Sequence, residues 1–169
     1  FWPAVWNFCG VRGERGERVL IDPQRMPGAH WFPDARLNFA ENLLRDCGNP
    51  EALVFWGEDR VKRRLSRLEL RRQVAQFAAA LKEMGIGAGD RVAAYLPNLP
   101  ETIIAMLATA SIGAVFTSAS PDFGVQGVLD RFGQTEPKAL IACDGYWYNG
   151  KAVDLQSKLA ELMPQLPSV

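Results

Sequence analysis

Histidine, cysteine and charge of one sign are what this sequence of 169 residues has least of, with one histidine, three cysteines, and 19 basic residues against 19 acidic. The lone His30 and the scattered Cys9, Cys47 and Cys143, with no CxxC pair, exclude the ligand spacing of a zinc site. An odd number of cysteines, one of them (Cys143) in an expected strand, reads as reduced and cytoplasmic rather than as a disulfide framework. The balanced charge gives no electrostatic reason to expect nucleic acid or an anionic membrane as a partner. The chain opens Phe1-Trp2-Pro3, without methionine and without the basic-then-apolar order of a signal peptide, so the start reads as an excision point. A single long uncharged run, Thr102 to Ala119, has to be weighed as a membrane span. Gly113 divides it, Thr and Ser punctuate it, and no basic flank follows. A buried helix leading into a buried strand is the better reading.

What is present is enough apolar sequence for one sizeable core. Residues 1–37 are rich in aromatics, proline and arginine but show no clean periodicity. They read as an irregular extension that wraps over a larger body, with Trp2, Trp6, Trp31 and Phe32 as packing anchors. Asn38 to Leu44 reads as a short helix, with Asn38 and Glu41 in a capping pattern. Ala52–Trp56 and Arg60–Leu65 flank Gly57-Glu58-Asp59 and read as a β-hairpin. Ser66-Arg67-Leu68-Glu69 is a capping box. It opens a helix whose Leu70, Val74, Phe77, Leu81 and Met84 share one face, and Gly85 closes it. A strand over Arg91–Leu96, a helix from Glu101 to about Ile112 and a last amphipathic helix over Asp154–Met163 follow.

The most informative stretch is AVFTSASPDFGVQGVLDRFGQTEPKALIACDGYWYNGK, residues 114–151. Ala114–Thr117 reads as a buried strand, Ser118–Phe123 as a loop and Gly124–Phe132 as a helix. Ala139–Cys143 reads as a second buried strand and Asp144–Lys151 as a loop. This is a βαβ unit. From residue 66 onward helices and strands alternate, which implies an α/β fold, a largely parallel sheet with helices on both faces. In such sheets ligands gather at the C-terminal ends of the strands.

Three motifs tempt toward other chemistry. Gly85, Gly87 and Gly89 follow a helix and precede a strand, the reverse of what a phosphate-binding loop needs, so they read as a cap and a turn. Gly145 to Lys151 has GxxxxGK spacing. However, Ala152 replaces the hydroxyl residue that would hold magnesium, and three aromatics fill the turn. Ser118, Ser120 and Asp122 have no histidine or other base beside them, and Ser120-Pro121-Asp122 reads as a turn ahead of the Gly124 helix. Arg131 and Lys138 are solvated or paired.

Several whole phrases carry a family resemblance. SPDFGVQGVLDRF followed by YNGK resembles the acetoacetyl-CoA synthetases, acyl-CoA synthetases of the adenylate-forming superfamily. WFPDARLNFAENLLR at residues 31–45, the FW…W…F opening and LPNLPE at residues 96–101 are similar to the same family. The resemblance implies an N-terminal extension over residues 1–50. Residues 51–169 would be the first half of an AMP-binding (adenylation) domain that ends before its next strand.

The resemblance further implies two-step chemistry with ATP, CoA, Mg2+ and acetoacetate, the remainder of the same enzyme being the partner. The family's Ser/Thr/Gly-rich phosphate loop, adenine-contacting segment, hinge aspartate and catalytic lysine are not matched here. No catalytic residue or metal ligand is therefore assigned, and the chain alone is expected to be inactive. By position, Ser120, Pro121, Asp122 and Lys151 correspond to two loops that flank the CoA nucleotide in related acetyl-CoA synthetases. Those enzymes have glycines in the first loop and arginines in the second. Here the glycines are absent, and Tyr148 and Lys151 stand at the arginine positions. An acetyl- or propionyl-CoA synthetase and a non-catalytic interaction module are the rival readings.

Overall fold

The computed structural model describes residues 1–45, 48–58 and 60–169. Cys47 and the Asp59 position of the expected turn lie outside them. The chain divides into two compact units, Phe1–Arg45 and Asp46–Val169.

The first unit holds helix α1 (Trp2–Phe8), strands β1 (Leu20–Ile21) and β2 (His30–Trp31), and helix α2 (Phe39–Leu43). β1 and β2 pair antiparallel, Leu20 opposite Trp31. These elements replace the wholly irregular extension read from the sequence. A seven-residue helix makes only two turns and the strands have two residues each, too short to show a period. The aromatics pair with one another, Trp2 meeting Trp31 edge-on at 6.2 Å and Trp6 meeting Phe32 at 5.3 Å, but Trp2 and Trp31 stay exposed rather than anchoring a core. The α2 cap is as expected, the Glu41 N–H donating to Asn38 Oδ1 at 3.0 Å. The Asn42 side chain bridges to Arg12, accepting from its N–H at 2.8 Å and donating to its carbonyl at 2.9 Å.

The second unit opens with the expected hairpin, β3 (Glu51–Gly57) against β4 (Val61–Ser66). Helix α3 (Arg67–Glu83) starts on a complete capping box. Ser66 accepts from the Glu69 N–H at 3.3 Å, and Glu69 Oε2 accepts from the Ser66 N–H at 2.8 Å. Leu70, Val74, Ala78 and Leu81 form its buried stripe. Met84 does not join them. As the capping residue it has left the helical path, and it is 65% exposed. Gly85 (φ 77°) then donates to Lys82 O and Ile86 to Leu81 O, the paired bonds of a Schellman cap that needs a left-handed residue.

β5 (Arg91–Tyr95), β6 (Val115–Ala119) and β7 (Ala139–Ala142) make a parallel sheet in the order β6–β5–β7. α4 (Pro100–Ser111) and α5 (Val125–Thr135) connect them. The uncharged run thus divides near Gly113 into helix and strand, and among the described residues no helix is long and apolar enough to cross a membrane. β6 runs two residues beyond the expected end. Ser118 and Ala119 pair with Ala94 and Tyr95 instead of opening the loop. β6 lies at the sheet edge, and its Val115 is 51% exposed.

Ala93 and Tyr95 of central β5 pack on Val128 and Phe132 of α5 and on Leu155 and Leu162. The last two flank and end α6 (Gln156–Leu162). Alternation sends Val92 and Ala94, both fully buried, to the other face, where α4 packs. Helices therefore cover both faces, as expected. Outside the sheet, Lys138 is paired with Asp90 at 2.7 Å. Arg131 donates to Gly127 O and lies over the Phe123 ring at 4.0 Å.

The largest departure follows β7. Asp144–Lys151, expected as a loop, begins a second hairpin, β8 (Gly145–Tyr148) against β9 (Lys151–Asp154). Its two-residue turn is Asn149-Gly150, both at positive φ (51° and 74°), as a type I′ turn requires. The physical reason is in the sequence: Asn-Gly directly after the aromatic run Tyr146-Trp147-Tyr148 is a strong hairpin signal. The GxxxxGK spacing is accordingly occupied by strand and turn, with Lys151 opening a strand rather than a helix.

Candidate functional site

Because β5, β6 and β7 are parallel, their C-terminal ends share one edge of the sheet. The segments leaving that edge are Pro97–Leu99 after β5 and Ser120–Phe123 after β6, and β8 follows β7 closely. Together with β3 and β4 they line a groove of about 770 Å³. Val54, Phe55, Trp56 and Val61 form one wall, and Tyr146, Trp147 and Tyr148 another. Ser120, Pro121 and Asp122 also line it.

Three side chains tether the 120–123 loop. Beneath it, the buried Tyr95 hydroxyl shares its one proton between Pro121 O (3.0 Å) and Phe123 O (2.7 Å), and burial pushes that phenol's pKa upward. From α6, Lys158 Nζ donates to Pro121 O at 3.1 Å. From β8, the Tyr146 hydroxyl donates to Asp122 Oδ1 at 2.7 Å. Ser120 Oγ donates to Asp122 Oδ2 at 2.9 Å and accepts from the Asp122 N–H. The Tyr146 and Ser120 hydroxyls hold the Asp122 carboxyl below its ordinary range. The same hydrogen bond and partial burial push Tyr146 up to about 12.

The carboxylates in the lining are therefore engaged. Asp122 is held as described. Glu101 accepts from Arg63 at 2.5 Å, and Glu58 accepts from the backbone N–H groups of Asn149 (2.5 Å) and Gly150 (2.7 Å). Arg60 lies over the Trp147 ring at 4.1 Å. This arrangement suits binding better than nucleophilic attack. Ser120 has a carboxylate beside it but no histidine in its unit to take a proton. Burial raises the pKa of the Cys143 thiol, away from the thiolate that would act as a nucleophile.

The structure thus brings Ser120, Pro121 and Asp122 together in the groove. Lys151 is not in its lining. It is exposed and pairs across the hairpin with Tyr148, which is in the lining. Sequence reasoning missed Tyr95, Tyr146, Lys158 and Glu58. Only the Asn149-Gly150 turn could have signalled the hairpin that carries Tyr146.

Comparison with known proteins decides the family. A profile described as AMP-binding enzyme matches residues 39–169. The chain belongs to the AMP-binding enzyme family. It is 60% identical to acetoacetyl-coenzyme A synthetase of Rhizobium meliloti over 98% of its own length and 26% of that protein's. It is 37% identical to malonamoyl-CoA synthetase of Penicillium aethiopicum, over all of this chain and 24% of that one. The structure matches that of acetoacetyl-CoA synthetase from Streptomyces lividans with a TM-score of 0.94 at 47% identity, covering 100% of this chain and 27% of the other. The chain spans about a quarter of the length of these relatives. The α/β unit, a parallel sheet flanked by helices, matches the N-terminal part of this adenylate-forming enzyme.

Proposed function

We propose that the chain is the N-terminal part of an ATP-dependent acid–thiol ligase that activates acetoacetate and transfers it to CoA. The 60% identity to an acetoacetyl-coenzyme A synthetase over 98% of the chain carries this reading. In the first step the acetoacetate carboxylate attacks the α-phosphorus of ATP, pyrophosphate leaves, and an acyl-adenylate forms. In the second the CoA thiol attacks the acyl carbon, and AMP leaves with the C–O bond pair. Residues 1–50 are then the extension, and residues 51–169 the first half of the adenylation domain. The setting is cytoplasmic.

Mg2+ belongs to the whole enzyme. Among the described residues no three His, Cys, Asp or Glu gather as metal ligands, so no step through the ion is assigned to this chain. The share of this chain is the CoA-facing edge. Ser120, Pro121 and Asp122 would border the nucleotide from the tethered loop, and Lys151 would supply positive charge from the hairpin.

The decisive assay uses the full-length enzyme. Acetoacetate should drive ATP–pyrophosphate exchange without CoA, and thioester formation once CoA is added. Exchange driven by acetate or propionate but not acetoacetate would sink the acyl assignment. The 169 residues alone should release no pyrophosphate, and release abolished by a point change within them would contradict the assignment of catalysis to the rest of the enzyme.

A further inference from the structure

Hairpin β8–β9 forms its own two-stranded sheet, with no strand pairing to the parallel sheet. An isolated two-stranded hairpin is marginal in water, so its position depends on what holds it from outside. At its base it is tied twice. Tyr146 donates to Asp122, and the Leu155 N–H donates to Asp144 O at 2.8 Å. Neither tie reaches the turn, where the chain reverses at Asn149-Gly150 and Lys151 follows.

The turn has a tie of its own. In a two-residue hairpin the N–H groups of both central residues have no partner across the strands. Here both converge on one carboxylate, that of Glu58, at 2.5 and 2.7 Å. Glu58 follows β3 directly, in a left-handed conformation (φ 47°). The contact spans 91 residues of sequence. Charge-assisted bonds to backbone N–H groups are the stronger kind, and two on adjacent amides fix orientation as well as distance. Arg60, two residues on from Glu58, lies over Trp147 of the same hairpin.

We propose that Glu58 is a positioning residue: it clasps the β8–β9 turn and thereby sets where Lys151 is presented. The proposal rests on the reading of Lys151 as a contact for the CoA phosphates. A lysine has a long flexible stem, and fixing the backbone beneath it lowers the ordering cost of binding. Without Glu58 the turn keeps its conformation but loses its external anchor, so the ammonium samples a wider volume.

The test is a double-mutant cycle in the full-length enzyme with E58A, E58Q, K151A and E58A/K151A. CoA kinetics and acetoacetate-dependent ATP–pyrophosphate exchange are measured for each. E58A should raise the CoA KM by about twofold to tenfold with kcat and exchange retained. E58Q, which keeps one acceptor oxygen, should do less. E58A should add nothing in the K151A background, because residues acting through one another are not additive. If K151A raises the CoA KM and E58A does not, the clasp is refuted while the reading of Lys151 survives. If K151A leaves the CoA KM unchanged, the reading of Lys151 fails, and the proposal built on it fails too. An E58A effect that persists beside K151A, or equal loss in both half-reactions, also overturns the proposal. The last outcome would make Glu58 a structural staple.

Discussion

The Tyr146 hydroxyl donates to Asp122 Oδ1 at 2.7 Å and so joins the hairpin after β7 to the loop after β6. The bond shifts both groups. It holds the Asp122 carboxyl low and pushes Tyr146 to about 12 from an ordinary value of 10.0. The two shifts have opposite pH consequences. Asp122 is lowered on folding, so its contribution is present above 3.8 and is lost as pH falls through the lower folded value. Tyr146 is raised, so its contribution is present below 10.0 and is lost as pH rises toward about 12.

NMR titration of ring-labelled tyrosine measures this directly. Tyr146 should titrate near 12 in the unaltered protein. In Asp122→Asn, which keeps an acceptor oxygen but removes the charge, its pKa should fall toward 10.0. A Tyr146 pKa indifferent to Asp122→Asn would mean that the contact does not persist in solution.

Helix α3 and the parallel sheet were legible because their signals are local. The Ser66–Glu69 box, the Gly85 cap and the apolar spacing each lie within a few residues of the structure they specify. The second hairpin was legible in principle through Asn149-Gly150, but a stretch rich in Tyr, Gly and Asn that ends on a lysine read as a loop. The tethers of the site were not legible at all. Tyr146 meets Asp122 across 24 residues and Glu58 meets Asn149 across 91, and no periodic pattern encodes either contact. β6 was read short for another reason. Ser118 and Ala119 have weak strand propensity, and pairing with Ala94 and Tyr95 on central β5 overrides it.

The core predicts a sharp contrast between two phenylalanines. Phe132 is 0% exposed and packs with Tyr95, Val128 and Leu155, whereas Phe8 is 92% exposed. Phe132→Ala should cost about 3–5 kcal/mol in stability, since it removes buried apolar surface and leaves a cavity. Phe8→Ala should stay within about 0.5 kcal/mol. Denaturant unfolding of both variants checks this, and equal effects would contradict the burial described.

The turn of the second hairpin predicts a backbone effect. Gly150 has φ 74°, and no atom lies within 4 Å of where a Cβ would sit. Gly150→Ala therefore meets no clash, only the left-handed penalty of about 1–2 kcal/mol. Hydrogen exchange at the β8–β9 amides should accelerate accordingly, while exchange in β5 stays unchanged. Unaltered exchange in the hairpin would argue against a left-handed residue at this position.

Lys151→Ala tests whether the hairpin faces the nucleotide of CoA. Lys151 is exposed and stands opposite Tyr148, which lines the groove beside the tethered Asp122 loop. A lysine meets phosphate as a compact charge, without the bidentate fork of arginine. An exposed ion pair is worth about 0–1 kcal/mol, and a charge-assisted hydrogen bond about 1.5–3 kcal/mol. Lys151→Ala in the full-length enzyme should therefore raise the CoA KM by about twofold to a hundredfold. Acetoacetate-dependent ATP–pyrophosphate exchange needs no CoA and should hardly change. Lys151→Arg should retain most of the affinity, because the charge stays and the reach is similar. An unchanged CoA KM in Lys151→Ala would make this lysine a solvated one. Loss of both half-reactions in equal measure would point to a folding defect, and near-normal CoA affinity in Lys151→Arg would then separate charge from fold.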